Sequence, residues 1–388
     1  MAIASIRVFM LSHMKEHPPM RRSYAVVQVK TGDGAVGYGE ASSNYGHSYP
    51  TVIRAIVDDV LARNLAGKDE SDIPGRTAEM HGLLDGYLGW NGVTAQAIGA
   101  VETALWDIAG KRAGLSIARL LGGSPKPLRL YATGTTMFDA SPQWYADYFR
   151  PALAQGIRGL KVRIGTDPDA AVARVAAVRE AIGPELDVMV DAYWGYAPED
   201  AVALAERLAP LRISFFEEPS PQQTPEFDTL AGRFPMPIAV GERVYSPEEF
   251  EAIARNRSAQ VLEPDASICG GIAACMRIAG IARDHGLDLV PHLGSPTAIG
   301  LAANLQWAAA ADCALVEFDV YPDLPMRDAL LPDPIFALDR IRDGHIEVPD
   351  RPGLGIEIDE AALLRFPYES GQTFAEIFSE HERPASRS

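Results

Sequence analysis

Between Lys161 and Glu317, ionisable residues stand singly at the ends of short apolar runs. Lys161 and Arg163 end GLKVR, Asp191 ends LDVMVD, Glu217 ends ISFFE and Glu242 ends PIAVGE. Asp265 follows AQVLEP, His292 follows LDLVP, and Glu317 ends CALVE. An ionisable group at the end of a buried run is costly unless it has a partner or a task. Asp191, Glu217 and Glu242 would gather three carboxylates, which cannot all stay ionised together without a cation. All-oxygen ligands with open positions suit Mg²⁺. An Asp265 beside His292 would fix the imidazole tautomer and raise its basicity, as a general base requires. Lys161 and Arg163, one residue apart on a strand, share a face. A guanidinium stays protonated, so Arg163 is a poor base and a good carboxylate clamp. Its like charge should push Lys161 toward the neutral form and leave it open as a second base.

Something must bring these residues together. From Asp191 to Glu317 their spacings are 26, 25, 23, 27 and 25 residues, near the roughly 30 per unit of a β/α barrel. Helical stretches fill the gaps, among them DAAVARVAAVREAIG, PEDAVALAERLAP and GIAACMRIAGIARDHG. Val- and Ile-rich runs alternating with helices predict parallel strands covered on both faces. LRLYATG would be the first strand, the Lys161/Arg163 strand the second, and Glu317 the end of the eighth. Consecutive barrel strands are neighbours, and their C-terminal ends converge on one rim. Before the barrel, SIRVFML, SYAVVQVKT and GAVGYGEA read as an antiparallel sheet followed by three helices, the last of them apolar over most of its surface. The expected fold is α/β: an N-terminal α+β capping domain over residues 1–125, a modified TIM barrel of (β/α)7β type over 126–345, and a segment over 346–388 that returns to the cap.

The chain has 388 residues and a formal net charge of −17. An acidic surface argues against nucleic acid or an anionic membrane, both of which need a basic field. The three cysteines include no CxxC pair, so neither a zinc ribbon nor a disulfide framework is expected. No apolar run approaches a membrane span of about 18 residues, and the N-terminus reads as a strand rather than a leader. The expected setting is cytoplasmic, as a homo-oligomer acting on a small carboxylate.

The order KxR, Asp, GluGluPro, GlyGlu, Asp, His, Glu resembles the mandelate racemase group of the enolase superfamily, over nearly the whole chain. VETALWDIAGKRAG with LLGG is similar to the family's last cap helix, and PGLGIEIDE to its C-terminal signature. The resemblance implies one Mg²⁺ per subunit on Asp191, Glu217 and Glu242, a His292–Asp265 base, and Glu317 as a hydrogen-bond donor to the substrate carboxylate. It also implies two N-terminal loops that close over the mouth and set specificity, with His17, Arg21, Arg22, Tyr45 and His47 as candidates. Arg163 stands where the family usually carries a second basic lysine, and Tyr193, followed by Trp194, stands where relatives often carry Asn. Both aromatics are candidates for the pocket wall. The implied reaction is dehydration of a sugar acid to a 2-keto-3-deoxy acid; the rivals are a racemase or epimerase of a 2-hydroxy or amino acid, and a barrel that binds an acid without turning it over.

Overall fold

The computed structural model describes residues 1–15, 20–41, 49–134, 141–222, 225–321 and 324–370. β1 (Ile3–Lys15), β2 (Met20–Thr31) and β3 (Val36–Ala41) form an antiparallel sheet in that order. β1 and β2 run further into the polar HMKEHPPMRR stretch than its composition suggests, pairing His13 with Arg22 and Met14 with Arg21. The ladder is made by backbone groups, which do not depend on apolar side chains. Alternation along β2 serves two cores at once. Tyr24 and Val26 join Phe9 and Leu11 in the core shared with the barrel, whereas Ala25, Val27 and Val29 pack with the cap helices. The helix Val93–Ala113 is buried on nearly all sides. β3 lies so close to it that a Cβ on Gly37 or Gly39 would run into the carbonyl oxygens of Ala104 or Ala100.

Eight parallel strands follow: β4 (Leu128–Thr133), β5 (Gly159–Arg163), β6 (Asp187–Asp191), β7 (Ile213–Glu217), β8 (Ile238–Val240), β9 (Val261–Leu262), β10 (Asp288–Leu289) and β11 (Val316–Asp319). They are neighbours in chain order, and β11 returns beside β4. β12 (His345–Ile346) adds antiparallel to β4. Helices such as Pro168–Ile182, Pro247–Asn256 and Ala298–Ala310 cover the outside. This is the expected modified TIM barrel with an N-terminal cap. Past the end of β10, Leu293 N donates to Glu317 Oε2 of β11 at 2.8 Å.

The two-residue period of a strand explains the barrel interior. Tyr131, Met189, Phe215, Ala239, Val261 and Val290 form an apolar plug, with Leu315 packed against it. One step of two residues along these strands reaches Asp191, Glu217, Glu263, His292 and Glu317, which therefore share the inward face. On β5 the plug position is Gly159 and the next inward position is Lys161. A charged tier thus rests directly on an apolar floor.

The cap is locked to the barrel by buried carboxylates at helix N-termini, where unpaired N–H groups favour negative charge. Glu40 of β3 accepts from Thr297 N, Gly300 N and Thr297 Oγ, at the start of Ala298–Ala310. Glu102 accepts from Ile272 N and Ala273 N, at the start of Ile272–His285. Further along, the Glu360 carboxylate accepts from Gln28 Nε2 and Tyr38 Oη, and Tyr368 N donates to Met10 O. Among the described residues, no helix is long and apolar enough to cross a membrane.

Burial pushes the Glu40 and Glu102 carboxyls up to about 7, against the N–H groups that lower them. The folded protein therefore holds these protons where the unfolded chain, near pH 4.5, has released them. Their contribution is fully present below about pH 4.5 and is lost as pH rises to about 7, on the order of 3 kcal/mol for each group. The midpoint of thermal unfolding should fall across this window, and Glu40→Gln, which cannot ionise, should flatten the slope. A slope unchanged in Glu40→Gln would remove this carboxyl from the account.

Candidate active site

The His292–Asp265 pair is built from Asp265 outward. One carboxylate oxygen, Oδ1, accepts from Ser267 N at 2.8 Å, Ser267 Oγ at 2.7 Å and Asn304 Nδ2 at 2.8 Å. Asn304 is itself fixed, because its Oδ1 accepts from Ala266 N and Trp307 Nε1. That leaves Oδ2 for His292 Nδ1, 3.2 Å away. An Nδ1–H facing Asp265 leaves Nε2 as the proton-accepting atom. Here Nε2 lies 3.1 Å from Glu242 Oε2. Burial alone would lower the His292 pKa, but Asp265, Glu242 and Glu317 outweigh it and raise it well above the ordinary value.

Lys161 is the hub of the charged tier. Its ammonium donates to Glu217 at 2.7 and 2.9 Å, stands 2.6 Å from Glu317 Oε1, and lies 3.6 Å from Asp191 Oδ2. This corrects the expectation that Arg163 makes Lys161 neutral. Burial and Arg163 do pull its pKa down, but Glu217, Glu317 and Asp191 outweigh them and raise it well above the ordinary value. Arg163 faces Asp191 instead, at 2.9 Å. Burial would raise Asp191, yet Arg163 and Lys161 hold it below the usual range. Glu317 differs from its expected role as a donor, which needs a proton. Burial would raise it, but Lys161, His292 and the Leu293 N–H lower it, so here it is an ionised acceptor.

At the mouth, Tyr193 and Trp194 follow Asp191 with φ of 51° and 52°, a left-handed conformation uncommon outside glycine. Two bonds hold it: Tyr193 N to Asp191 Oδ1 and Trp194 N to Glu218 O. The two rings stack, and the Arg243 guanidinium lies 3.2 Å from the Trp194 centroid and 4.2 Å from that of Tyr193. Arg243 also pairs with Glu218 and Glu242. Of the cap candidates, Arg21 is taken away to Glu369, at 2.8 Å, while Arg22 reaches Asp319 at the end of β11. His17, Tyr45 and His47 lie outside the described residues.

With this geometry in hand, the chain can be set beside known proteins. Residues 7–122 match the mandelate racemase / muconate lactonizing enzyme N-terminal domain, and residues 144–362 match the enolase C-terminal domain-like family. The chain belongs to the mandelate racemase / muconate lactonizing enzyme family. It is 33% identical to the D-galactarolactone cycloisomerase of Agrobacterium fabrum, over 94% of this chain and 99% of that one. It is also 33% identical to the arabinonate dehydratase of Saccharolobus solfataricus, over 92% and 93%. A racemase from Streptomyces coelicolor A3(2), solved with bound magnesium, superposes with a TM-score of 0.83 at 26% identity, over 94% of this chain and 99% of that one.

The carboxylates of this family member can be tested against such an ion. Asp191, Glu217 and Glu242 stand at or just beyond the ends of adjacent strands, offer oxygen only, and are buried. Glu217 is pushed up to about 8, first by burial and then by Asp191, with Lys161 opposing. A tier that crowded in negative charge favours a cation. As they stand, the three carboxylates turn onto protein cations: Asp191 onto Arg163, Glu217 onto Lys161, and Glu242 onto Arg243 and His292. Among the described residues, no three of His, Cys, Asp or Glu enclose a metal position. The donor set suits a hard divalent ion, and holding one requires these side chains to turn from their cations toward one another.

Residue types at strand ends did not reveal Asn304, Arg243 or Glu263. Glu263 is buried, with both oxygens lacking a hydrogen-bond partner among the described residues. Its signal was present: it stands two residues before Asp265 and so shares its face. Asn304 lies mid-helix, and nothing in sequence ties it to Asp265. Asp265→Asn should lower the His292 titration followed by imidazole NMR and reduce turnover by about 10²- to 10⁴-fold. An unmoved imidazole titration would show that Asp265 does not set the basicity of His292.

Proposed function

We propose that this enzyme dehydrates a sugar acid, with His292 removing the C2 proton, the C3 hydroxyl leaving as water, and the enol product becoming a 2-keto-3-deoxy acid. The observation that carries this reading is a single oriented base, His292 on Asp265, set beside a buried cluster of carboxylates and cations. Arabinonate dehydration by a relative 33% identical over most of the chain supports the substrate class. A hydrogen beside a carboxylate is very weakly acidic, because its loss puts a second negative charge on the same group. Mg²⁺ held by Asp191, Glu217 and Glu242 would supply the compensating positive charge. Arg163 and Lys161 clamp the substrate carboxylate and add to that compensation. With Glu242 in a ligand set, His292 keeps Asp265 as partner and Nε2 turns to C2. The proton it takes can return to the departing hydroxyl, so the elimination needs no second acid.

Arg163, a guanidinium that stays protonated where a second base would stand, supports a one-base reaction over a two-base racemase. The enzyme should then act on one C2 configuration, by resemblance the R. Chelator should abolish turnover, and His292→Asn should lose C2–H exchange in D₂O. Undiminished exchange in His292→Asn would move the base elsewhere and revive the racemase.

Arg163→Lys should slow dehydration, and, if a paired lysine can serve the opposite face, it should add exchange of the other C2 epimer. Deuterium uptake from both epimers makes the comparison. Wild-type enzyme exchanging both at similar rates would overturn the one-base assignment.

A further inference from the structure

A second polar cluster stands at the mouth, beside the charged tier and outside the catalytic groups. Asp319 lies two residues beyond Glu317 on β11, on the same inward face and roughly 6.6 Å nearer the rim. Its Oδ1 accepts from Tyr321 N at 2.8 Å, its Oδ2 accepts from Ser295 Oγ, and its backbone oxygen accepts from Arg327 Nη1 at 2.9 Å. Ser295 is three residues past His292, so the cluster adjoins the base. A Cβ on Gly134, just past β4, would run into both Asp319 and the Tyr148 hydroxyl, which places these groups together at the first and last strands.

From above, the cap lowers Arg22 onto this cluster. Arg22 has the parity of Tyr24 and Val26, the barrel-facing side of β2. Its side chain is 1% exposed, and its Nη1 stands 3.8 Å from Asp319 Oδ2. Among the described residues, Tyr148 Oη finds no hydrogen-bond partner, while Arg22 faces the Tyr24 phenol as well as Asp319. Burial, and then Asp319, raise the Tyr148 phenol well above its ordinary value, so it stays a donor. Buried polar groups left open in this way are costly unless something fills them.

The charge of the cluster says what that is. Arg22 is balanced by Asp319, and Arg327 by Asp328 at 2.9 and 3.0 Å. Among the described residues, each arginine of the cluster already faces a carboxylate, which disfavours a second carboxylate here. Donors beside a carboxylate instead match hydroxyl groups, which both accept and donate. From this we infer that Arg22, Tyr148 and Asp319 form the subsite for the neutral, polyhydroxylated far end of the sugar acid, so that the enzyme takes monocarboxylic aldonates rather than dicarboxylic aldarates. The inference rests on the sugar-acid reading of the same site.

The test pairs aldonates with aldarates of matched configuration, across all configurations, and reads 2-keto acid formation. Wild-type kcat/KM should favour the aldonate of the preferred pair by about a hundredfold or more, since a site built for hydroxyl groups rejects what leaves them unpaired. Tyr148→Phe keeps the ring and removes only the hydroxyl; it and Arg22→Met should each lower aldonate kcat/KM by about ten- to a hundredfold, mainly through KM. Arg22→Lys should recover part of the loss, and Asp319→Asn should narrow the gap between aldonate and aldarate. An aldarate turned over as well as its paired aldonate, or unchanged aldonate kcat/KM in both Tyr148→Phe and Arg22→Met, would overturn the subsite while leaving the dehydratase standing. No turnover of either class by wild type would bring both down.

Discussion

One buried ammonium holds the charged tier together. Lys161 lies between Glu217 and Glu317 and within 3.6 Å of Asp191, with no solvent to share the load. An ionised carboxylate stripped of its partner in such a place costs several kcal/mol. Asp191, Glu217, Glu242 and Glu317 are each held by Lys161, Arg163 or Arg243. This makes the site responsive. On the proposed reading, a divalent ion held by Asp191, Glu217 and Glu242 would leave these cations to a substrate carboxylate.

Much of the barrel and its acids was legible because a strand end is a local event. An apolar run that stops at an ionisable residue can be read from a handful of letters, and Asp191, Glu217, Glu242, Asp265, His292 and Glu317 all carry that signal. What escaped depends on contacts across the fold. Asn304 acts on Asp265 from a helix, and Arg243 turns back onto Glu218 and the Trp194 ring. The charge of Lys161 was misjudged for the same reason: its neighbour Arg163 is visible in sequence, while three carboxylates from other strands are not.

The choice between Arg21 and Arg22 shows a different limit. Alternation along a strand is plain in sequence only when one face is apolar and the other polar. β2 is buried on both faces, with Tyr24 and Val26 toward the barrel and Ala25 and Val27 toward the cap helices. Its letters therefore read as a continuous apolar run, and either parity could face the mouth. Both arginines are candidates in sequence, yet Arg21 lies on the other side and pairs with Glu369.

Two-sided burial also ties the cap to the chemistry. A sheet pressed between its own helices and the barrel cannot slide or tilt without breaking one core or the other. Glu40 and Glu102 add fixed points, each carboxylate seated on a barrel helix N-terminus. Glu40 ends the same sheet that carries Arg22, and the helix it caps also carries Asn304, the residue that completes the Asp265 oxygen set. The position of the cap and the aim of the base are thus set through one helix, Ala298–Ala310. Its N-terminus is held by the cap, and about two turns further on it holds the carboxylate that orients His292. A shift of the cap that loosened Glu40 would reach the imidazole through that helix.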